Sequence, residues 1–257
     1  MAIEIHRWKH KFEIRPAVWV YVPTKESKKF GSQILNAVRF KWTPALYFYH
    51  LRTGGHLAAA RLHLNNEFFA VIDIKQFFQS TSRSRITREL KTYFTYPQAR
   101  EIAKYSTVKN PLNEHHKHVL PFGFVQSPIL ATLCLDKSYV GKLLRDLNKK
   151  SAIRLSVYMD DVIISSNDLP LLERSFQDIL KALEKSDYRV NTQKSQPPSP
   201  QITVFNLVIQ KGSLKVMPQR MSDFLIDVYA SNYEPHKLGI ANYVKSVNQK
   251  QATLFKI

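Results

Sequence analysis

One cysteine, Cys134, stands in the 257 residues. A lone thiol excludes an intrachain disulfide and leaves too little sulfur for a cysteine-based zinc site. Glycine is scarce, with seven residues, and no Gly/Ser or acidic tract marks a flexible linker. No internal repeat stands out. With 44% hydrophobic residues, the length favours one large domain, or two tightly joined ones, around a substantial core. Long apolar runs are missing too. None approaches the roughly 20 residues of a membrane span, and the opening MAIEIHRWKHKF has charges where a secretion signal needs an apolar stretch. The expectation is a cytoplasmic protein.

Acidic residues are the other shortage. Twenty Asp+Glu oppose thirty-eight Lys+Arg, a net charge of +18 that exceeds what solubility requires. Such an excess points to a polyanion: nucleic acid first, an anionic membrane surface second, ribosome-like packing third. Basic side chains outnumber acidic ones nine to three in residues 1–50 and again in 189–257, so positive charge flanks a middle region on both sides. Membrane binding lacks its own sign, because no amphipathic basic helix with an aromatic face is evident.

Residues 17–22 (AVWVYV) and 68–74 (FFAVIDI) are rich in β-branched and aromatic side chains and predict short buried strands. Pro97–Tyr105 predicts a helix with proline in its first turn. Ser127 as N-cap and Pro128 as N1 open a helical pattern that runs to about residue 148. Residues 153–158 and 162–165 predict a hairpin with acids at its tip, and Leu169–Leu183 an amphipathic helix. Pro197–Pro200 reads as a rigid loop, followed by strands at 202–209 and 214–217 around a Lys211-Gly212 turn; the remaining residues read as helical and basic. The order β–α–β–β–α–β is a split βαβ arrangement on an antiparallel sheet, an α+β fold.

Within the hairpin, VYMDDVIIS sets Asp160 beside Asp161 inside an apolar run. Like charges repel, and apolar flanks raise the cost of ionisation. Either the pair lies on an exposed turn, or a cation binds between the carboxylates. Asp73 ends the strand FFAVIDI, where it is either a strand-end cap or a third member of the group. In a split βαβ sheet the hairpin lies beside the first strand, so Asp73 can face the pair. Three converging carboxylates suit hard divalent cations, Mg²⁺ above all where substrate phosphates add ligands. Two such ions stabilise the attacking and leaving oxygens of an in-line displacement at phosphorus.

The stretches Phe69–Ser80 (FAVIDIKQFFQS), Leu120–Pro128 (LPFGFVQSP) and Tyr158–Asp161 (YMDD) resemble motifs A, B and C of reverse transcriptases, in order and at about the family spacing. Val190–Ser195 (VNTQKS) is similar to motif D, and Ile202–Leu207 (ITVFNL) to the motif E primer grip. DIKxFF followed by serine resembles the bacterial branch, with its retron, group II intron and phage-defence members.

The resemblance implies a right-hand polymerase: fingers over 1–66, a palm over 67–210 with 95–120 partly fingers, and a short helical thumb over 211–257. It implies Asp73, Asp160 and Asp161 as carboxylates for two Mg²⁺ ions (Mn²⁺ as substitute), with the Ile74 carbonyl as a further ligand and Asp161 the least direct. Phe78 is either ordinary core or the ring under the incoming sugar that excludes a 2′-OH. Gly123 admits close backbone approach to a nucleotide, and Gln126 and Ser127 open the helix beside it, although the family commonly has a small residue where Gln126 stands. Tyr158, Phe205 and Asn206 map to primer contacts. Lys194 is either a solvated lysine or the group that protonates departing pyrophosphate. Lys25, Lys28, Lys29, Arg39 and Lys41 lie where the family keeps basic groups for the triphosphate. The pair Gly54-Gly55 between His50 and His56 has no evident role, and Glu114–His118 reads as a solvated loop rather than a zinc site.

The implied partners are dNTPs, a DNA primer or product and an RNA template. A small thumb further implies a dedicated structured non-coding RNA, or homo-oligomerisation, to hold the primer. Membrane is not among them. Two other readings stay open: a catalytically idle nucleic-acid-binding module, and another palm-type phosphotransferase such as a nucleotide cyclase. The intact acids and Phe78 oppose the first; the likenesses to motifs B and E and the charge oppose the second.

Overall fold

A computed structural model describes residues 6–16, 18–112 and 116–255. Ala17, expected to begin a strand, and Glu114 and His115 of the histidine-rich loop lie outside the described residues. Strands β1 (Trp8–Arg15) and β2 (Val18–Pro23) pair antiparallel as a ribbon. Helix α1 (Lys25–Lys41) follows, capped by the Thr24 side chain, which accepts from Ser27 N at 3.1 Å. A single 3₁₀ turn (Tyr49–Leu51) leads into α2 (Gly55–Arg61), which starts where Gly54 takes φ +93°. That turn needs the glycine.

The central strand β3 (Phe68–Lys75) is buried at every position from Phe69 to Ile74. Such burial explains why its sequence is nearly continuous in apolar residues rather than alternating. Helices α3 (Arg83–Leu90) and α4 (Tyr96–Ser106) come next, then the short pair β4 (Val108–Lys109) and β5 (His118–Val119). The predicted long helix from Ser127 is two helices, α5 (Ser127–Asp136) and α6 (Tyr139–Asn148). Gln126, not Ser127, holds the cap position of α5, and Ser138 caps α6 by accepting from Gly141 N. Strands β6 (Arg154–Tyr158) and β7 (Asp161–Ser166) form the expected hairpin, and α7 (Leu169–Lys185) the expected amphipathic helix.

Strand β8 (Arg189–Val190) pairs with the end of β3. Most of Pro197–Pro200, the segment read as a rigid loop, lies in strand β9 (Gln196–Ser199), which pairs with β3 through Phe69 and Val71 with a register shift between them. Pro197 and Pro198 lack donors, and an irregular outer strand tolerates them. The expected strand at 202–209 is instead a tight hairpin, β10 (Gln201–Val204) and β11 (Leu207–Gln210), turning at Phe205-Asn206, both with positive φ. Strand β12 (Ser213–Val216) completes this small sheet, and helices α8 (Pro218–Ala230), α9 (Glu234–Val247) and α10 (Gln249–Ala252) follow.

The main sheet runs β6–β7–β3, with β8 and β9 sharing the far edge of β3. Ala70, Ile72 and Ile74 face one core, with buried residues of α5, α6 and α7. Phe69 and Val71 face the other, against β10–β12 and helices α8 and α9. Period-two alternation puts Asp73 on this second face, at the end where its apolar side chains stop. Among the described residues no helix is long and apolar enough to cross a membrane.

Candidate active site

Strand register brings the acids together. Asp73 on β3 stands directly opposite Asp161 on β7, and the Asp160 carbonyl accepts from Ile74 N at 2.8 Å. Met159, at φ +57°, turns the chain so that Asp160 occupies the hairpin tip. The Asp73 backbone is pinned on the other side as well: its N–H donates to Ser195 Oγ at 3.0 Å and its carbonyl accepts from Asn191 N at 2.9 Å. The falling end of the sheet thus presents three carboxylates from two strands and one turn.

Electrostatics records the crowding. Burial, and then the neighbouring Asp160 and Asp73 charges, push the Asp161 carboxyl up to about 8. Asp160 is also raised, by burial first and by the Asp73 charge, against opposing effects that include Lys194 and Arg15. The Lys194 ammonium stands 3.6 Å from Asp73 Oδ2. Exposed in part, this lysine is screened by water and does not neutralise the group.

Two pockets meet at the acids. One, of ≈ 560 Å³, holds Asp73, Asp160, Phe78, Phe122, Arg15 and Lys194 among its walls. Phe78 is almost fully buried there and packs edge-on to Phe122 at 4.8 Å between ring centroids. The other, of ≈ 510 Å³, is lined by all three acids, Lys194, Phe205 and Asn206. Behind it the Tyr158 ring lies 5.2 Å from Phe205 and 6.1 Å from His56, and these side chains line a third hollow shared with Arg220 and Tyr243.

Other expected positions do not reach these walls. Gly123, at φ +97°, lets the chain pass β2: a Cβ there would collide with the Tyr21 carbonyl, and Tyr21 N donates to Phe122 O at 3.0 Å. Gln126 is buried against Gly31 of α1 and donates to Ser106 Oγ at 3.3 Å. The Ser127 hydroxyl is buried without a partner among the described residues. Lys25, Lys28, Lys29, Arg39 and Lys41 all belong to α1, and none lines either pocket; the cations that do are Arg15, Lys75 and Lys194.

Two histidines went unassigned in the sequence. His50 Nδ1 accepts from Met159 N at 2.9 Å while its Nε2 lies 2.7 Å from Thr132 Oγ1, so it props the hairpin turn from below. Burial lowers its pKa to about 4 and keeps it neutral. His56, next to the glycine pair, stacks edge-on with Tyr158 and Phe205 and pairs with Tyr243 OH at 3.2 Å. The Gly54-Gly55 turn was the visible signal, since it places His56 at the start of α2.

The donor chemistry suits a hard divalent ion: the acids offer only oxygen, and crowding leaves the pair destabilised when ionised. As the side chains stand, no group of three His, Cys, Asp or Glu is arranged to hold an ion among the described residues.

Comparison with known proteins decides the family. The model described as reverse transcriptase (RNA-dependent DNA polymerase) matches residues 9–217. The chain belongs to the reverse transcriptases. The family is described as RNA-dependent DNA polymerases. All five motif-like stretches of this reverse transcriptase fall inside the matched range. A foamy viral protease-reverse transcriptase in complex with double-stranded DNA is similar in structure, at 16% identity over 91% of this chain and 35% of that one, with a TM-score of 0.52. The telomerase of Candida albicans, in complex with a fragment of telomeric RNA, matches 91% of this chain and 44% of its own at 11% identity and a TM-score of 0.45. At these identities the viral likeness speaks for the fold, with mixed helices and antiparallel sheets that match polymerase fingers and palm. This reverse transcriptase spans about a third of the length of that viral neighbour. No curated protein matches it.

Proposed function

We propose that this reverse transcriptase copies an RNA template into DNA at the carboxylate cluster of Asp73, Asp160 and Asp161. The observation that carries the reading is the Asp73–Asp161 register pair, with Asp160 at the turn where two pockets meet. Mg²⁺, or Mn²⁺ in its place, would be held by these three carboxylates and the Ile74 carbonyl, and a bound pair of ions stabilises charge on the attacking and leaving oxygens.

The incoming dNTP takes the pocket walled by Phe78, whose ring leaves no room for a 2′-OH. Arg15 and Lys75 attract its phosphates, and Lys194 donates a proton to the leaving pyrophosphate. The primer end takes the pocket under the Phe205-Asn206 turn, backed by Tyr158. Residues 1–66 act as fingers with part of 95–120, residues 67–210 as palm and 211–257 as thumb. Gly123, Gln126 and Ser127 act on the nucleotide at one remove, by fixing β2 and α1 against the motif B segment. The likeness of DIKxFF to the bacterial branch extends the reading to a structured non-coding RNA template, in antiviral defence in the cytoplasm.

Purified protein with a primed RNA template, dNTPs and Mg²⁺ tests it. Wild type extends the primer, and Asp160→Asn loses at least about 10³-fold in rate while binding the template normally. Equal binding with no extension by either protein would instead leave an idle binding module.

A further inference from the structure

Helices α3 and α4 pack side by side, and with the β5 segment they enclose an open cleft of ≈ 550 Å³ that contains none of the catalytic acids. From α3 and its C-cap come Ser84, Thr87, Arg88 and Lys91, at the i, i+3, i+4, i+7 spacing of one helix face. From α4 come Tyr96 and Arg100, one turn apart, and the third wall is His116, Lys117 and His118. Among the described residues no carboxylate lines it. Glu89 pairs with Arg88 at 2.8 Å and Asp187 lies 3.8 Å from His116, but Arg83, Lys91, Arg100 and Lys117 have no ion-pair partner among the described residues.

The cations repel one another. The His118 pKa is lowered by burial and then by Arg83, Lys117, Arg7 and Lys109. A fold gains nothing from gathering unpaired positive charge on one face, so a ligand must supply the negative charge. The cleft is not a nucleotide route to the active site: a hollow of only ≈ 40 Å³ separates it from the catalytic pocket, sharing His116 with the cleft and Gln76 and Gln79 with that pocket. Its shape argues against a small polyphosphate, which is held by converging, enclosed donors. Lys91, Arg100 and Lys117 are exposed and come from separate elements, and Tyr96 is 53% exposed with the Lys91 ammonium 5.6 Å from its ring centre. Spread cations beside an open aromatic ring suit a strand, with phosphates on the cations and a base on the ring.

We propose that this cleft binds the phosphodiester backbone of an RNA segment lying outside the primed region, a reading that takes its ligand class from the proposed function. It gives the enzyme a grip on template RNA that does not pass through the catalytic groove.

The test uses the full chain with Lys91, Arg100 and Lys117 all changed to Glu, and a second variant with all three changed to Gln. Fluorescence anisotropy at several salt concentrations measures affinity for a long hairpin RNA with a primed end, and for a short primed duplex that fills only the catalytic groove. In both variants affinity for the long RNA falls at least ~10-fold, and the salt slope becomes shallower by about 2, the value for three lost phosphate contacts. Affinity for the short duplex and the melting temperature stay at the wild-type values. Unchanged long-RNA affinity and slope in the folded Gln variant would overturn the proposal. So would loss of inorganic tripolyphosphate binding with long-RNA affinity intact, which would mark a small-anion site. A wild-type protein that extends no primer, yet loses long-RNA binding in these variants, would end the proposed function and leave the cleft standing.

Discussion

His50 shows how a single side chain holds the acid-bearing turn without lining either pocket at the acids. Met159 sits in the left-handed region, which costs a non-glycine residue about 1–2 kcal/mol. Its N–H donates to His50, which Thr132 orients in turn. Without that acceptor the turn relaxes and Asp160 moves. His50→Ala is expected to lower the extension rate by ~10²-fold, the cost of an ångström-scale misplacement, with affinity for primed template unchanged. Single-turnover kinetics beside a binding titration checks it; a change in affinity alone would assign His50 to binding. His63 makes a different prediction. It is fully buried between Ser165 Oγ at 2.7 Å and Ser156 Oγ at 2.8 Å, a pairing that a neutral ring satisfies with one donor and one acceptor. Burial, and then the Arg154 charge, push its pKa down to about 3. Between that value and the ordinary 6.5 the unfolded chain binds a proton that the fold refuses. Its contribution is therefore complete above pH 6.5 and is lost as pH falls toward 3, at up to about 1.4 kcal/mol per pH unit. Urea unfolding of wild type and His63→Gln at pH 7.5 and 5.0 measures this, and the variant should show the smaller loss.

At the level of elements, the sequence made the main sheet legible and hid two interruptions. Strand β3, the acid-tipped hairpin and α7 were readable because their periodicity and their packing agree. The β10–β11 hairpin was not, since Phe205-Asn206 interrupts an apolar run with a residue that seldom takes positive φ; only Asn206 hinted at a turn. The break between α5 and α6 left a better trace, the Ser138-x-x-Gly141 spacing. Ser138 caps α6, and Arg145 closes the joint by donating to Asp136 Oδ1 at 2.7 Å. Gly141 has helical neighbours and no positive φ, so its need is one of space: a Cβ would collide with the carbonyl oxygens of Leu135 and Asp136. Backbone cannot yield as a side-chain tip does. Gly141→Ala is expected to destabilise the protein by about 1–3 kcal/mol, despite alanine's better helix propensity. Urea denaturation at constant m-value reads the difference, and a stabilised variant would show that the joint is looser than its contacts imply. The clustered acids were legible for the opposite reason: adjacent carboxylates in an apolar run make no sense for packing alone. What the sequence could not show at Gly123 and Gln126 is that each has a tight neighbour in the chain's own β2 or α1.

For the whole molecule, two cores clasp one sheet, and the helices after the small sheet share the core that borders the acids. Val244, Val247 and Phe255 share one core with Val71 and Ile163, so the segment after the small sheet is anchored to the strands that carry the acids rather than tethered beside them. On the proposed function, the hold on nucleic acid comes largely from charge. The net +18 is spread over both ends of the chain and the α3–α4 cleft. Such a distribution predicts a steep salt dependence that is nearly indifferent to sequence. Each phosphate neutralised adds about −0.7 to −0.9 to the slope of log K against log salt. Six or more contacts are available from the exposed basic side chains, so affinity for a primed RNA should fall by ~10³-fold or more between 50 and 200 mM salt. Anisotropy titrations over that range, repeated with a second primed RNA of unrelated sequence, give the slope directly. A slope shallower than about −2 would mean that stacking and hydrogen bonds at the Phe205 turn, not the basic surface, hold the template.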